Sequence, residues 1–339
     1  MSPGYPSSLC GVRSVNASML HRHSGTVLAA AAAAAACLLL ARRARRRSPV
    51  PLSFASCSSR TITSRAGLHY KLYVSLPLSY HESRSTTYPM VVVLDAEPYL
   101  FPLCVVCART NRFFARTYYY PDAIVVGIVA DLENSYPSVH ALWDNLRVTR
   151  ARDYLPTAAE SPWGKWPGAV SLLGVSGHAD EFASFVAEEL LPYLDCAYRT
   201  RGDSARALIG KSFGGSGVAA CAIHEVCSRK FSEYLLGSPS LAWDDGAFFR
   251  IEESRRAAVA HDEQEARGTP PYAARVFCCV GSEEGGESVH RLKEVLDSRK
   301  GPRGTVTVEV VPNETHGSVS FPFVHKALEV CKERWEALE

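Results

Sequence analysis

The pentapeptide Gly210-Lys211-Ser212-Phe213-Gly214 is the part of the chain best suited to covalent chemistry. A serine hydroxyl attacks a carbonyl only when a base takes its proton and the chain presents it clear of its own backbone. The pattern Gly-x-Ser-x-Gly meets the second need. Its glycines let the backbone turn tightly from a strand into a helix, with the hydroxyl exposed above the sheet. The apolar run Ala205 to Ile209 precedes the motif and a helical stretch follows it. The N–H of Phe213, the residue after the serine, is then available as an oxyanion donor. Gly210-Lys211-Ser212 also resembles the end of a phosphate-binding loop. That loop needs a further glycine five residues earlier, where this chain has Ala205, and the four residues between look like strand.

The base is sought among eleven histidines. His316 follows the strand-like run Val306 to Val311 and opens a Gly-Ser turn before the last helical stretch, where a loop at the C-terminal edge of a strand can reach the serine. The orienting carboxylate belongs in the loop after the preceding strand, and Val280-Gly281-Ser282-Glu283-Glu284 offers both Glu283 and Glu284. Adjacent residues leaving a strand point in different directions, so only one of the two is expected to reach the imidazole. The order serine, acid, histidine is the one used by α/β-hydrolases.

These residues need a scaffold of strands and helices in alternation. Tyr70 to Leu76 alternates in polarity like an edge strand, and Met90 to Leu94, Ile124 to Val129, Ala205 to Ile209, Tyr234 to Leu236, Val276 to Val280 and Val306 to Val311 follow, several apolar throughout as strands covered on both faces are. Helical periodicity marks Asp180 to Tyr198, Ser216 to Ser228, Ser288 to Arg299 and Phe323 to Leu338. The expected fold class is therefore α/β, a mostly parallel sheet with helices on both faces. Residues 131–177 are rich in Pro, Gly and Trp with weak periodicity, and predict a long insertion or lid-like segment.

The N-terminal part has a different composition. No Asp or Glu precedes Glu82, whereas ten Lys and Arg do, leaving 27 basic against 35 acidic residues in the rest of the chain. The mildly acidic remainder offers no basic face for nucleic acid. Residues 26–41, with eight consecutive alanines, are followed by five arginines within 42–47. A spanning helix needs about 20 apolar residues, so membrane association through 26–41 is marginal, and an acid-poor, Arg- and Ser-containing leader fits an organelle address equally well. Residues 1–60 are accordingly read as a targeting or anchor segment and linker, and 61–339 as the hydrolase domain.

Nine cysteines remain in the body, an odd number without a disulfide framework, which points to reduced thiols. Cys104 and Cys107 have metal-ligand spacing, but no second pair completes a zinc site, and the valines between them predict a buried apolar segment. No metal site is expected.

From about Lys71 to Trp335 the chain resembles the putative-esterase (esterase D-like) family, particularly its enterobactin-type siderophore esterases. The resemblance rests on Val93-Leu94-Asp95, Arg152-Asp153-Tyr154-Leu155-Pro156, Phe182 through Pro192, Gly210 to Gly215, Ser238-Pro239-Ser240 with Trp243, and Glu314 to Ser318. It implies an α/β-hydrolase fold and hydrolysis of carboxylic esters, of a siderophore-like or phenolic kind, with no cofactor. It also implies Glu284 as the acid by a glycine-plus-three spacing, a second oxyanion N–H near Ala96, and Arg152 and Trp243 as substrate contacts. Two positions depart from the family: Lys211 stands where His is common, and Ala96 where Gly is usual. Two other functions share the same residues. An acyltransferase would intercept the acyl-enzyme with an alcohol instead of water, and a non-catalytic binding protein would use the pocket alone.

Overall fold

Runs of valine, isoleucine and leucine that offer no polar face must be covered on both sides, and they build the centre of this protein. The structure is a computed structural model, which describes residues 57–110, 120, 122–131, 139–160, 171–261, 274–298 and 304–336. All lie in the unit Ala55–Glu339. Eight strands form one sheet: β1 (Cys57–Thr63), β2 (His69–Ser75), β3 (Met90–Leu94), β4 (Ile124–Ala130), β5 (Arg206–Lys211), β6 (Glu233–Gly237), β7 (Arg275–Gly281) and β8 (Thr305–Val311). Their order is β1-β2-β4-β3-β5-β6-β7-β8. The first two pairings, β1 with β2 and β2 with β4, are antiparallel, and all the others are parallel.

Side chains alternate between two cores along each strand. Val91, Val93, Ile209, Leu235 and Phe277 face α1 (Phe101–Thr110) and α8 (Ser320–Glu336). Met90, Val92, Leu94, Leu208, Leu236 and Val276 face the other layer. That layer holds α2 (Val139–Tyr154), α3 (Ala179–Phe185), α4 (Leu191–Ala197), α5 (Phe213–Ile223), α6 (Ala247–His261) and α7 (Glu287–Asp297). Every residue of α5 is buried, so this central helix is apolar on all sides. Between α3 and α4 the chain makes a π-turn, Val186–Leu190, because Pro192 at the start of α4 lacks the N–H that would continue the α-helical ladder.

All seven predicted strands are present, most of them a residue or two longer at their ends. Three expectations need correction. The last residues of the segment read as leader, Cys57 to Arg60, are the start of β1. Within 131–177, read as irregular, residues Val139–Tyr154 form a helix that packs against α5 and α3 and buries Leu146, Ala151 and Tyr154. Its periodicity is blurred because Arg150 and Asp153 also turn inward to pair with other groups. Helices α1 and α6 were not anticipated. Cys104, inside α1, is buried against the sheet, as the apolar reading of that segment expected. Among the described residues no helix is long and apolar enough to cross a membrane, and residues 26–41 lie outside them.

Candidate active site

Five loops leave the C-terminal ends of adjacent parallel strands, the edge at which open α/β sheets carry their chemistry. They follow β3, β5, β6, β7 and β8, and they contain Asp95-Ala96, Ser212, Ser238 to Ser240, Glu283-Glu284 and His316 respectively.

Ser212 sits between β5 and α5 with φ 59° and ψ −121°, a conformation costly for a residue with a side chain. The surrounding glycines make the turn sterically feasible. A Cβ on Gly210 would lie 2.6 Å from the Gly214 carbonyl carbon, one on Gly214 would lie 2.5 Å from Asp95 Oδ2, and one on Gly215 would lie 3.0 Å from the Gly237 oxygen. The turn is held by Ser212 N–H donating to Gly237 O at 2.9 Å and Ser240 N–H donating to Ser212 O at 3.2 Å. Ser212 Oγ lies 3.5 Å from Ser240 Oγ.

Glu284 stands in the short turn Ser282–Glu284 after β7. One carboxylate oxygen accepts from Ser238 Oγ at 2.7 Å and from Gly281 N–H at 2.9 Å, while the other lies 2.6 Å from His316 Nδ1. Burial alone would raise the pKa of Glu284, but these hydrogen bonds from Ser238, Gly281 and His316 together hold it below the ordinary carboxylate value. An ionised carboxylate only accepts, so Nδ1 carries the imidazole hydrogen and Nε2 keeps its lone pair. Partial burial and the nearby Lys211 ammonium lower the pKa of His316, and Glu284 opposes them without cancelling them. Glu283 is exposed, its N–H bonded to Glu314 O at 3.1 Å. Gly281 has no room for a side chain, since a Cβ there would fall 2.6 Å from the Glu314 carbonyl carbon.

Ser238 was not singled out as a functional residue by sequence reasoning. Its backbone is left-handed, φ 40°, and its hydroxyl aims at Glu284. Asp95 is left-handed as well, φ 54°, and leads into a π-turn, Ala96–Leu100, in which Glu97 is extended because Pro98 follows it. Asp95 Oδ2 lies against Gly214, and the Ala96 methyl lies against Gly127 of β4, where an added Cβ would fall 2.7 Å from it. Ala96 is buried.

Phe213, Ser238, Ser240, Trp243, Glu284 and His316 are among the residues that line a cavity of about 290 Å³. Phe213 and Trp243 meet edge to face at 6.1 Å, and the Trp243 indole N–H donates to Thr157 O at 3.2 Å. The structure thus brings Trp243 to the cavity, but not Arg152. That guanidinium binds Asp153 at 2.6 and 2.9 Å and lies over the Tyr70 ring. The arginine beside the motif is Arg150, two residues earlier, which grips both oxygens of Asp95 at 2.8 Å and lies over Phe213. Among the described residues no hydrogen bond joins Ser212 to His316. Such contacts are often open in the absence of substrate and tighten on binding.

Residues 156–305 match the profile of a family described as "Putative esterase". That match spans somewhat less than half of the chain and takes in the Ser212 motif and Glu284. A siderophore triacetylfusarinine C esterase of Aspergillus fumigatus is 24% identical over 219 residues, which are 63% of this chain and 67% of the relative. Among solved structures, the BES protein from Bacillus cereus superposes with a TM-score of 0.63 at 20% identity, covering 84% of this chain and 99% of that one. The siderophore hydrolase EstB from Aspergillus nidulans gives 0.62 at 19% identity, with 85% and 98% covered. This chain has the fold of those proteins.

Proposed function

We propose that the protein hydrolyses a polar, siderophore-like carboxylic ester through an acyl-enzyme on Ser212. His316 Nε2 takes the Ser212 proton as Oγ bonds to the ester carbon, and the resulting imidazolium gives that proton to the departing alcohol oxygen. Water then enters, loses a proton to the same nitrogen and displaces Oγ, releasing the acid. Glu284 fixes the imidazole tautomer and stabilises the imidazolium. The N–H groups of Phe213 and Ala96 bind the oxyanion, each donor of this kind being worth roughly 3 to 4 kcal/mol in the transition state.

The observation that carries the reading is the chain of hydrogen bonds from Ser238 through Glu284 to His316, set at a cavity beside the strained Ser212 turn. The substrate class is supported by two relatives that bear siderophore ester or siderophore hydrolase names. A cavity that pairs the aromatic rings of Phe213 and Trp243 with the hydroxyls of Ser238, Ser240 and Ser288 also suits a polar ester better than a long acyl chain. Residues 1–54, with the Ala-rich stretch at 26–41, are assigned to targeting or membrane association.

The test compares wild type with S212A on p-nitrophenyl butyrate and on a hydroxamate siderophore ester, with a fluorophosphonate label as an independent readout. Turnover and labelling are both expected to disappear in a protein that melts like wild type. Hydrolysis by S212A near the wild-type rate would overturn the assignment. Hydrolysis of the aryl ester without the siderophore would leave the mechanism and remove the substrate class.

A further inference from the structure

Lysine is seldom buried, because its ammonium gives up water that a protein rarely replaces. Lys211, the last residue of β5 and the neighbour of Ser212, is only 4% exposed. Its Nζ donates to the backbone oxygen of His316. This bond ties the strand that carries the nucleophile to the loop that carries the base. The loop's other ties run to the turn after β7, through Glu283 N–H to Glu314 O at 3.1 Å, Asn313 N–H to Ser282 Oγ at 2.9 Å and His316 Nδ1 to Glu284 at 2.6 Å. Thr315 and Ser318 hold each other, through Thr315 N–H to Ser318 Oγ at 2.9 Å and Ser318 N–H to Thr315 Oγ1 at 3.3 Å, and Ser320 Oγ donates to Gly317 O at 2.9 Å. Those bonds shape the loop from within and do not anchor it to β5.

The charges around His316 come from three elements. Glu284 reaches it from the turn after β7, Lys211 from β5 and Arg150 from α2. Arg150 is neutralised in place by its two bonds to Asp95. Lys211 has no ion pair among the described residues, and its ammonium is bonded to a neutral carbonyl. It therefore acts on the imidazole with a charge less compensated than that of Arg150.

We infer, on the reading of Ser212 and His316 given above, that Lys211 is a positioning residue for ester hydrolysis, holding the His316 backbone toward Ser212 and setting a positive charge beside the imidazole. The charge opposes protonation of the base, while Glu284 stabilises the imidazolium formed during attack. Lys211 tempers the second effect so that the resting base stays neutral. Burial pushes its own pKa down to about 8, so it remains mostly protonated through the acid side of the activity range.

The experiment uses the full chain and p-nitrophenyl butyrate, with wild type, S212A, K211M and K211Q. Each is measured for thermal melting, for kcat and KM, and for kcat/KM between pH 5 and pH 9, where the acid limb reports the base in the free enzyme. K211M, lacking donor and charge, is expected to lose kcat on the order of 100-fold, as misplaced catalytic groups do, with KM little changed. Its acid limb should move to higher pH, because an imidazole without the neighbouring cation protonates more readily. K211Q, which keeps a donor but no charge, should show the same limb movement with a smaller loss of kcat. An acid limb unmoved in K211Q, or wild-type kcat in K211M, would overturn the inference. Loss of rate in both variants with both limbs unmoved would also overturn it, because packing alone would then account for Lys211. Failure of the parent reading is separate: it appears as S212A turning over like wild type, whatever the Lys211 variants do.

Discussion

At the scale of single residues, the acid is the side chain whose surroundings say most about its role. Glu284 receives three hydrogen bonds, from Ser238 Oγ, Gly281 N–H and His316 Nδ1, and an ionised group so held costs little to keep in place through a reaction cycle. Replacing it by an amide puts an N–H where an acceptor is needed or leaves Nδ1 facing a weaker one, and the imidazole can then take the wrong tautomer. E284Q is expected to lose kcat by roughly 10³- to 10⁴-fold, in the range seen when the acid of such a triad is removed. S238A, which withdraws one of the three donors, should lose far less, and E283Q should match wild type because that side chain is exposed. One ester and three variants decide this, and a severe loss in E283Q with E284Q intact would reverse the assignment. The sequence named Ser212, His316 and the pair Glu283/Glu284, because glycine spacing and chain order are properties of the chain itself. Ser238 and Lys211 act across the sheet, through contacts 46 and 105 positions away along the chain, and no local pattern marks them.

Whole elements tell a similar story about what a local pattern can carry. Strand β6 begins with Glu233, which is fully buried and has neither carboxylate oxygen hydrogen-bonded among the described residues. Burial raises its pKa to about 8, against the lowering influence of Arg275 and Arg334. A carboxyl group raised in this way is protonated in the folded chain while the unfolded chain has already ionised. Its contribution to stability is therefore complete below the ordinary carboxylate range and is lost as pH rises through about 8. E233Q imitates the protonated form at every pH. Its melting temperature should match wild type near pH 4.5 and exceed it increasingly up to pH 8; parallel melting curves across that range would refute the assignment. In sequence, Glu-Tyr-Leu-Leu-Gly gives the strand but not the state of its first side chain. Likewise β3 to β7 were legible because apolar runs covered on both faces need no partner to identify them, and the edge strand β8 because of its β-branched residues. Helix α2 was not, since Arg150 and Asp153 spend their charges on Asp95 and Arg152 inside the fold, and so break the apolar stripe by which helices are recognised.

For the whole molecule the open question is where the catalytic unit begins. Contact density divides the chain at Phe54, and strand β1 follows at once, from Cys57 to Thr63. This strand is mostly exposed and touches none of the residues proposed for catalysis, but it covers the edge of β2 along seven paired positions. It also ties itself down through Arg60 to Tyr193 Oη at 2.5 Å and Thr61 to Asp131 at 2.7 Å. Composition could not reveal it, because a polar edge strand in an acid-free stretch reads as more of the same leader. Removing residues 1–54 should leave kcat, KM and melting temperature unchanged. Removing residues 1–63 uncovers the N–H and C=O groups of β2, an invitation to pair with another chain. That shorter protein should melt several degrees lower and associate at micromolar concentration, yet keep its turnover per folded molecule, because the proposed catalytic residues follow β3 and β5 to β8. Melting curves, light scattering and active-site titration on the two truncations separate these effects. A chain starting at Ser64 that stays monomeric and melts with the longer one would show β1 to be dispensable. A loss of kcat already at the Ala55 start would mean that the N-terminal segment helps to build the site.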